Sequence, residues 1–234
     1  MDLFYLKSLT SATTECILEG EEAQHISKVL RKKVGDLLLL TNGKGLEWQG
    51  QIAAIFSKKI QLICTYQKEH PPLPYSLHIA IAPTKSNDRI EWFLEKVTEI
   101  GLTKITPLLC DHSERKIIKH ERWNKILGSA MKQSQRFYLP DLQPLTAFKD
   151  FLEQEKNNEL LVAHCKPGNK TALNSIARKK EYTVLIGPEG DFSEKEIEQI
   201  TSRTKAIEVD LGPARYRTET AGIVACLTIA LKEI

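Results

Sequence analysis

Pro71, Pro72 and Pro74 follow His70 within four residues. A proline ring fixes φ and removes a backbone N–H, so this run lies neither inside a helix nor in a central strand. It reads as a stiff, extended connector, and the patterning differs on its two sides. Before it the apolar stretches are short. Residues 16–18, 37–41, 46–56 and 59–67 read as strands, with Asn42-Gly43 a tight-turn signal between two of them. Ala23, Ile26, Val29 and Leu30 recur at helical spacing within 21–31. Residues 1–72 are expected to form a small β-barrel with one helix.

After the connector, strands and helices alternate. Strands are expected at 77–82, 105–110, 160–164, 183–186 and 207–209. Helices are expected at 88–100, 121–137, 171–179, 193–203 and 218–231, with Gly101 ending the first in a left-handed conformation and Leu139-Pro140 stopping the second. Five β-then-α units imply an α/β domain over 73–234, with a largely parallel sheet covered on both faces.

The five cysteines (Cys16, Cys64, Cys110, Cys165 and Cys226) contain no CxxC pair, and the histidines do not cluster. Neither a disulfide framework nor a metal site is indicated. The sequence has no recognisable signal peptide and no window near the ~18 apolar residues of a membrane span. A cytoplasmic protein with no membrane partner is expected. The net charge of +3 says little, so the distribution of charge matters more.

Gly187-Pro188-Glu189-Gly190 follows an apolar strand and precedes a helix whose start carries the S-x-x-E capping-box spacing of Ser193 and Glu196. Loops at the carboxyl ends of parallel strands are where such sheets bind ligands. Neither G-x-x-x-x-G-K-S/T nor G-x-G-x-x-G is present, so phosphate cradling is not supported. Spacing alone also fits a plain Gly-Pro turn. A second loop, Leu211-Gly212-Pro213, leads through Arg215, Arg217, Thr218, Glu219 and Thr220 into the last helix. Thr218 or Thr220 can serve as N-cap and Glu219 as a helix-end acid. The two arginines beside a helix N-terminus suit an anion.

Basic residues gather in two stretches. Lys28, Arg31, Lys32 and Lys33 lie in the first domain, and Arg115, Lys116, Lys119, Arg122, Lys125, Lys132 and Arg136 in the second. Such runs form solvated faces or phosphate-binding surfaces.

Taken together these segments resemble the RsmE family of knotted SPOUT methyltransferases, whose motifs look like G-P-E-G-G-F-S-x-x-E and L-G-x-x-I-L-R-T-E-T-A. The chain has Gly187-Pro188-Glu189-Gly190-Asp191-Phe192-Ser193 with Glu196, then Leu211-Gly212 and Arg217-Thr218-Glu219-Thr220-Ala221. Lys85, Asp88-Arg89, Lys96, Thr98-Glu99 and Gly101 resemble the family's first helix of this domain. Gln133-Ser134, Arg136 and Leu139-Pro140 resemble its Q-S-x-R-x-x-x-P stretch, and His25 to Asp36 its H-x-x-x-V-L-R-x-x-x-G-D run. Asp191 stands where a second glycine is usual, Arg215-Tyr216 replace Ile-Leu, and Lys132 stands where an acid is common.

The resemblance implies a PUA-like barrel, a C-terminal trefoil knot, a homodimer, and S-adenosylmethionine-dependent methylation of N3 of a uridine in small-subunit (16S) ribosomal RNA. By position, the cofactor would meet Val162, His164, Leu185, Ile186, Gly187, Pro188, Gly190, Leu211, Gly212, Tyr216, Arg217 and Thr218. Arg217 would stabilise the uridine anion, its fork meeting O2 or O4, and Glu219 is a candidate proton acceptor. Lys28, Arg31, Lys32, Arg89, Arg115, Lys116, Arg122 and Arg136 would contact ribosomal RNA or the small subunit. The alternatives are a non-catalytic RNA-binding or ribosome-assembly protein on the same scaffold, and an enzyme of the same fold acting on another RNA.

Overall fold

The computed structural model describes residues 2–156, 158–203 and 205–233. The chain divides into two compact units, Met1–Pro72 with Gly128–Leu139, and Leu73–Leu127 with Pro140–Ile234. The first unit thus takes in Gly128–Leu139, a segment that the proline run alone assigns to 73–234.

In the first unit, strands β1 (Leu3–Tyr5), β2 (Glu15–Glu19), β3 (Leu37–Thr41), β4 (Leu46–Ile55) and β5 (Lys59–Glu69) form one sheet. Their order is β1-β3-β4-β5-β2, antiparallel except for the β1–β3 pair. Alternation along β4 turns Leu46, Trp48 and Ile52 into a core shared with Leu40, Ile60 and Leu62. The Trp48 indole N–H donates to the Thr13 carbonyl at 2.9 Å. A Cβ at Gly50 would lie 2.3 Å from the Trp48 ring, so glycine is what lets the indole lie against the strand. The turn after β3 is wider than a two-residue hairpin. Asn42 Oδ1 accepts from Lys44 and Leu46 N–H, with Gly43 and Gly45 at positive φ.

The single helix expected over 21–31 is instead α1 (Gly20–Gln24) followed by a π turn, His25–Val29. The Leu30 N–H donates to the His25 carbonyl, and Arg31 at φ 52° stops the run. The wider turn keeps Ala23 and Ile26 in the core while Val29 points outward, 64 % exposed. Within this unit Phe137 stacks on His70 at 4.2 Å, and Lys132 pairs with Glu22 at 2.8 Å.

The second unit holds β6 (Ser76–Ile81), α2 (Asn87–Ile100), β7 (Lys104–Leu109), α3 (His120–Gln133, whose last turns belong to the first unit), β8 (Asp141–Leu142) and β9 (Thr146–Ala147). It continues with α4 (Phe148–Gln154), β10 (Leu160–Ala163), β11 (Thr171–Ala172), β12 (Glu181–Ile186), α5 (Glu194–Thr201), β13 (Ala206–Asp210) and α6 (Thr218–Glu233). The sheet order is β11-β13-β10-β12-β6-β7-β8, with β9 also on β7, and every pairing is parallel. After β10 the chain goes to the far edge, returns to seat β12 beside β6, then crosses back to put β13 beside β10. That doubling back is where the knot expected from the resemblance would be tied.

Three local expectations are corrected. Residues 171–179 form β11 and one 3₁₀ turn, Leu173–Ser175, rather than a helix. Thr171 and Ala172 pair with the edge of β13, and a single turn suffices to bury Leu173 and Ile176. Helix α3 ends at Gln133, short of residue 137, because Gln135 stands at φ 54° and the Arg136 N–H turns back to the Met131 carbonyl. Gly101 does terminate α2 at positive φ, yet with φ 117° and ψ 112° its backbone lies outside the left-handed helical region.

Candidate active site

The sheet order sets β13, β10 and β12 side by side, so the three loops leaving their carboxyl ends are neighbours. They enclose a cavity of about 280 Å³. Of the expected cofactor residues, His164, Ile186, Gly187, Pro188, Leu211, Gly212, Tyr216, Arg217 and Thr218 line it. Val162, Leu185 and Gly190 do not. Val162 and Leu185 point into the core, where Ile200 and Phe192 meet them; their neighbours Ala163 and Ile186 face the cavity. Gly190 sits on the outer side of its loop, where an added Cβ would be 3.3 Å from His112.

Ser193 and Glu196 form the expected capping box at the start of α5. Glu196 is buried and also accepts the Asp111 N–H at 2.9 Å, which ties the loop after β7 to this helix start. Thr218 is not an N-cap. Its hydroxyl donates to the Gly187 carbonyl at 3.1 Å, while the Arg217 carbonyl accepts the Ala221 N–H. The start of α6 is thereby held against the β12 loop.

Asp191, a departure from the family's glycine, lines the cavity. It stands at φ 64°, the region a glycine occupies without cost and Asp more readily than other side chains. Its Oδ2 accepts the Cys165 N–H at 2.8 Å and its Oδ1 the Phe192 N–H at 2.8 Å. The second departure lies at the rim. Arg215 is exposed, and Tyr216 is half-buried with its hydroxyl beside Gly212, whose φ is 134°.

His164 closes the floor, its side chain 1 % exposed. Nδ1 accepts the Lys166 N–H at 3.2 Å, so the proton sits on Nε2, which lies 2.6 Å from the Glu208 carboxylate. Arg217 is exposed at the mouth. Glu219, one residue beyond Thr218, is only 4 % exposed; its Oε1 lies 3.8 Å from Arg89 Nε. Its Oε2 is buried with no hydrogen-bond partner among the described residues.

The expected RNA contacts differ in their availability. Arg115 donates to the Thr84 carbonyl at 2.7 Å and the Lys85 carbonyl at 2.5 Å, so it braces the loop after β6. Arg122 makes a two-pronged pair with Glu91 at 2.6 and 2.7 Å. Lys116 is exposed. In the first unit Lys28 and Arg31 are exposed, and Lys32 and Arg136 are half-buried. Among the described residues no group of three metal-ligating side chains gathers, and no helix is long and apolar enough to cross a membrane.

A wholly parallel sheet with an apolar-walled cavity cupped by three adjacent carboxyl-end loops defines an α/β protein built to bind a small organic ligand. Comparison with known proteins narrows the class. Residues 71–230 match the family described as RNA methyltransferase domain, and residues 18–63 that described as RNA methyltransferase PUA domain. The chain belongs to the ribosomal RNA small subunit methyltransferase E family. The Rickettsia conorii member is 30% identical over 97% of this chain and 94% of its own. The solved "probable rRNA-methyltransferase" of Porphyromonas gingivalis is 34% identical, with a TM-score of 0.91 over 100% of this chain and 98% of its own. The Neisseria gonorrhoeae ribosomal RNA small subunit methyltransferase E, solved bound to S-adenosyl methionine, is 26% identical, with a TM-score of 0.83 over 97% and 95%.

Proposed function

We propose that this protein transfers a methyl group from S-adenosylmethionine to N3 of a uridine in 16S ribosomal RNA. The observation that carries the reading is the cavity at the ends of β13, β10 and β12, in a chain of this family. Its lining suits the cofactor. Ile186, Val209 and Leu211 offer apolar walls for a purine, loop backbone offers hydrogen bonds, and Asp210 suits a molecule bearing positive charge. S-adenosylmethionine supplies an electrophilic methyl carbon on a sulfonium centre.

The chain's own residues must then hold the uridine and manage its N3 proton. N3 becomes a nucleophile only once its proton has left, and the negative charge of the resulting anion spreads to O2 and O4 until N3 takes the methyl group. Arg217, at the cavity mouth, presents a planar donor fork to those oxygens. Glu219 is the candidate proton acceptor: it lies at the start of α6 just outside the cavity lining, with one buried oxygen that has no hydrogen-bond partner among the described residues.

RNA phosphates are assigned to Lys28, Arg31, Lys32 and Arg136 of the barrel unit and to Arg89 and Lys116 of the catalytic unit. Arg115 and Arg122 serve the fold first. A homodimer fits the exposed apolar residues Trp92 on α2 and Leu227 and Leu231 on α6, and a cytoplasmic location fits the proposed ribosomal substrate. The test is a nucleoside profile of 16S rRNA from cells lacking the gene, with purified protein and S-adenosylmethionine added back. Loss and restoration of N3-methyluridine is expected; its persistence in such cells, with no paralogue present, would falsify the assignment.

A further inference from the structure

The substitution of Asp191 for a glycine does more than fill space. The loop leaving β12 turns at Pro188, where the Asp191 N–H closes back onto the Pro188 carbonyl at 2.9 Å. From that turn the Asp191 carboxylate reaches across to the loop leaving β10 and accepts the Cys165 N–H at 2.8 Å. Its other oxygen accepts the following N–H, of Phe192, and its carbonyl lies 3.0 Å from His112 Nδ1 on the loop after β7. Cys165, Pro188 and Asp191 all line the cavity. One residue therefore joins two walls of the cavity and anchors them to a third loop.

A glycine here would reach the same φ without strain but would supply neither carboxylate bond. The left-handed backbone costs an aspartate something, and bonds from two backbone N–H groups to a charged acceptor offset it. A pocket whose walls are fixed beforehand does not have to order them on binding.

We propose that Asp191 is a positioning residue that pre-forms the cofactor pocket by clamping the β10 loop to the β12 loop. This rests on the S-adenosylmethionine reading. The clamp acts on cofactor affinity and leaves the methyl-transfer step alone.

The experiment compares the full-length wild-type protein with Asp191→Gly and Asp191→Asn. Glycine keeps the backbone and removes both carboxylate bonds; asparagine tolerates the same backbone and keeps one acceptor oxygen. Calorimetry with S-adenosylmethionine should show about tenfold weaker binding for Asp191→Gly and partial recovery for Asp191→Asn. Turnover at saturating cofactor should stay within about twofold of wild type for both. Amide exchange at Cys165, measured without ligand, should quicken in Asp191→Gly and much less in Asp191→Asn. Wild-type affinity in Asp191→Gly, or unchanged Cys165 exchange, overturns the clamp alone. Failure of the wild-type protein to bind S-adenosylmethionine overturns the functional reading and the clamp's role in it together.

Discussion

The Thr218 hydroxyl donates to the Gly187 carbonyl across 3.1 Å, joining two residues 31 positions apart in the chain. Both are buried, and both line the cavity. Thr218→Val keeps the branched shape and leaves that carbonyl without its donor, at a cost of about 1–3 kcal/mol. The variant should unfold at lower temperature and bind S-adenosylmethionine roughly tenfold more weakly. Thr218→Ser, which restores the hydroxyl, should recover most of both. Equal melting and binding in the valine variant would show the bond to be idle.

Arg217 and Glu219 flank Thr218 but differ in setting, the first exposed at the cavity mouth and the second buried beside Arg89. Arg217→Ala should leave cofactor binding within a few-fold and lower turnover about 100-fold, the usual effect of deleting a donor aimed at developing charge. Arg217→Lys should recover little, because a point charge cannot reproduce the fork. Glu219→Gln should also cut turnover with cofactor affinity preserved. Full activity in the glutamine variant would reassign Glu219 to holding Arg89. These are single-turnover measurements on the RNA substrate with saturating cofactor.

Buried His78 is expected to make the protein less stable in acid. His78 on β6 lies 2.7 Å from Thr106 Oγ1 and 3.6 Å from Glu155. Burial, helped by the charge of Lys104, lowers its pKa to about 3. In the unfolded chain an ordinary histidine takes its proton near ~6.5. Between those values the unfolded state binds more protons, so stability falls as pH is lowered through the window and is fully present above it. From pH 7 to pH 5 this group should remove about 2 kcal/mol of unfolding free energy. Urea melts at the two pH values measure it, and His78→Gln should flatten the difference. An equally steep loss in that variant would assign the acid sensitivity elsewhere.

Much of the second unit was legible because its signals are local. The apolar strands, the Gly101 stop and the Ser193–Glu196 capping box each lie within a few residues, and each is found in the structure. What escaped depends on distant partners. Thr171–Ala172 became a strand because β13 had an open edge, which no local spacing reveals. Val162 and Leu185 lie in continuous apolar runs, so no polar alternation in the sequence tells which of their neighbours face the pocket. The commitment of Arg122 to Glu91 spans 31 positions, and the burial of Glu219 depends on α2 and α6 packing together. Asp191 illustrates a third case: the departure from glycine was visible, but its positive φ and its bond to Cys165 were not.

The basic residues differ in whether the protein already answers their charge. Lys28 is exposed and Lys32 half-exposed at the π turn of the first unit, and neither has a salt-bridge partner among the described residues. Arg122 is held by Glu91, and that pairing raises its already high pKa. Each residue that neutralises a phosphate adds roughly 0.7–0.9 to the slope of log affinity against log salt. Lys28→Gln with Lys32→Gln should therefore weaken rRNA binding and reduce that slope by about one to two. Arg122→Gln should change the slope by much less, because its charge is already answered within the protein. Filter binding between low and moderate salt distinguishes the variants. A double variant whose slope matches wild type would remove the barrel unit's lysines from the RNA surface.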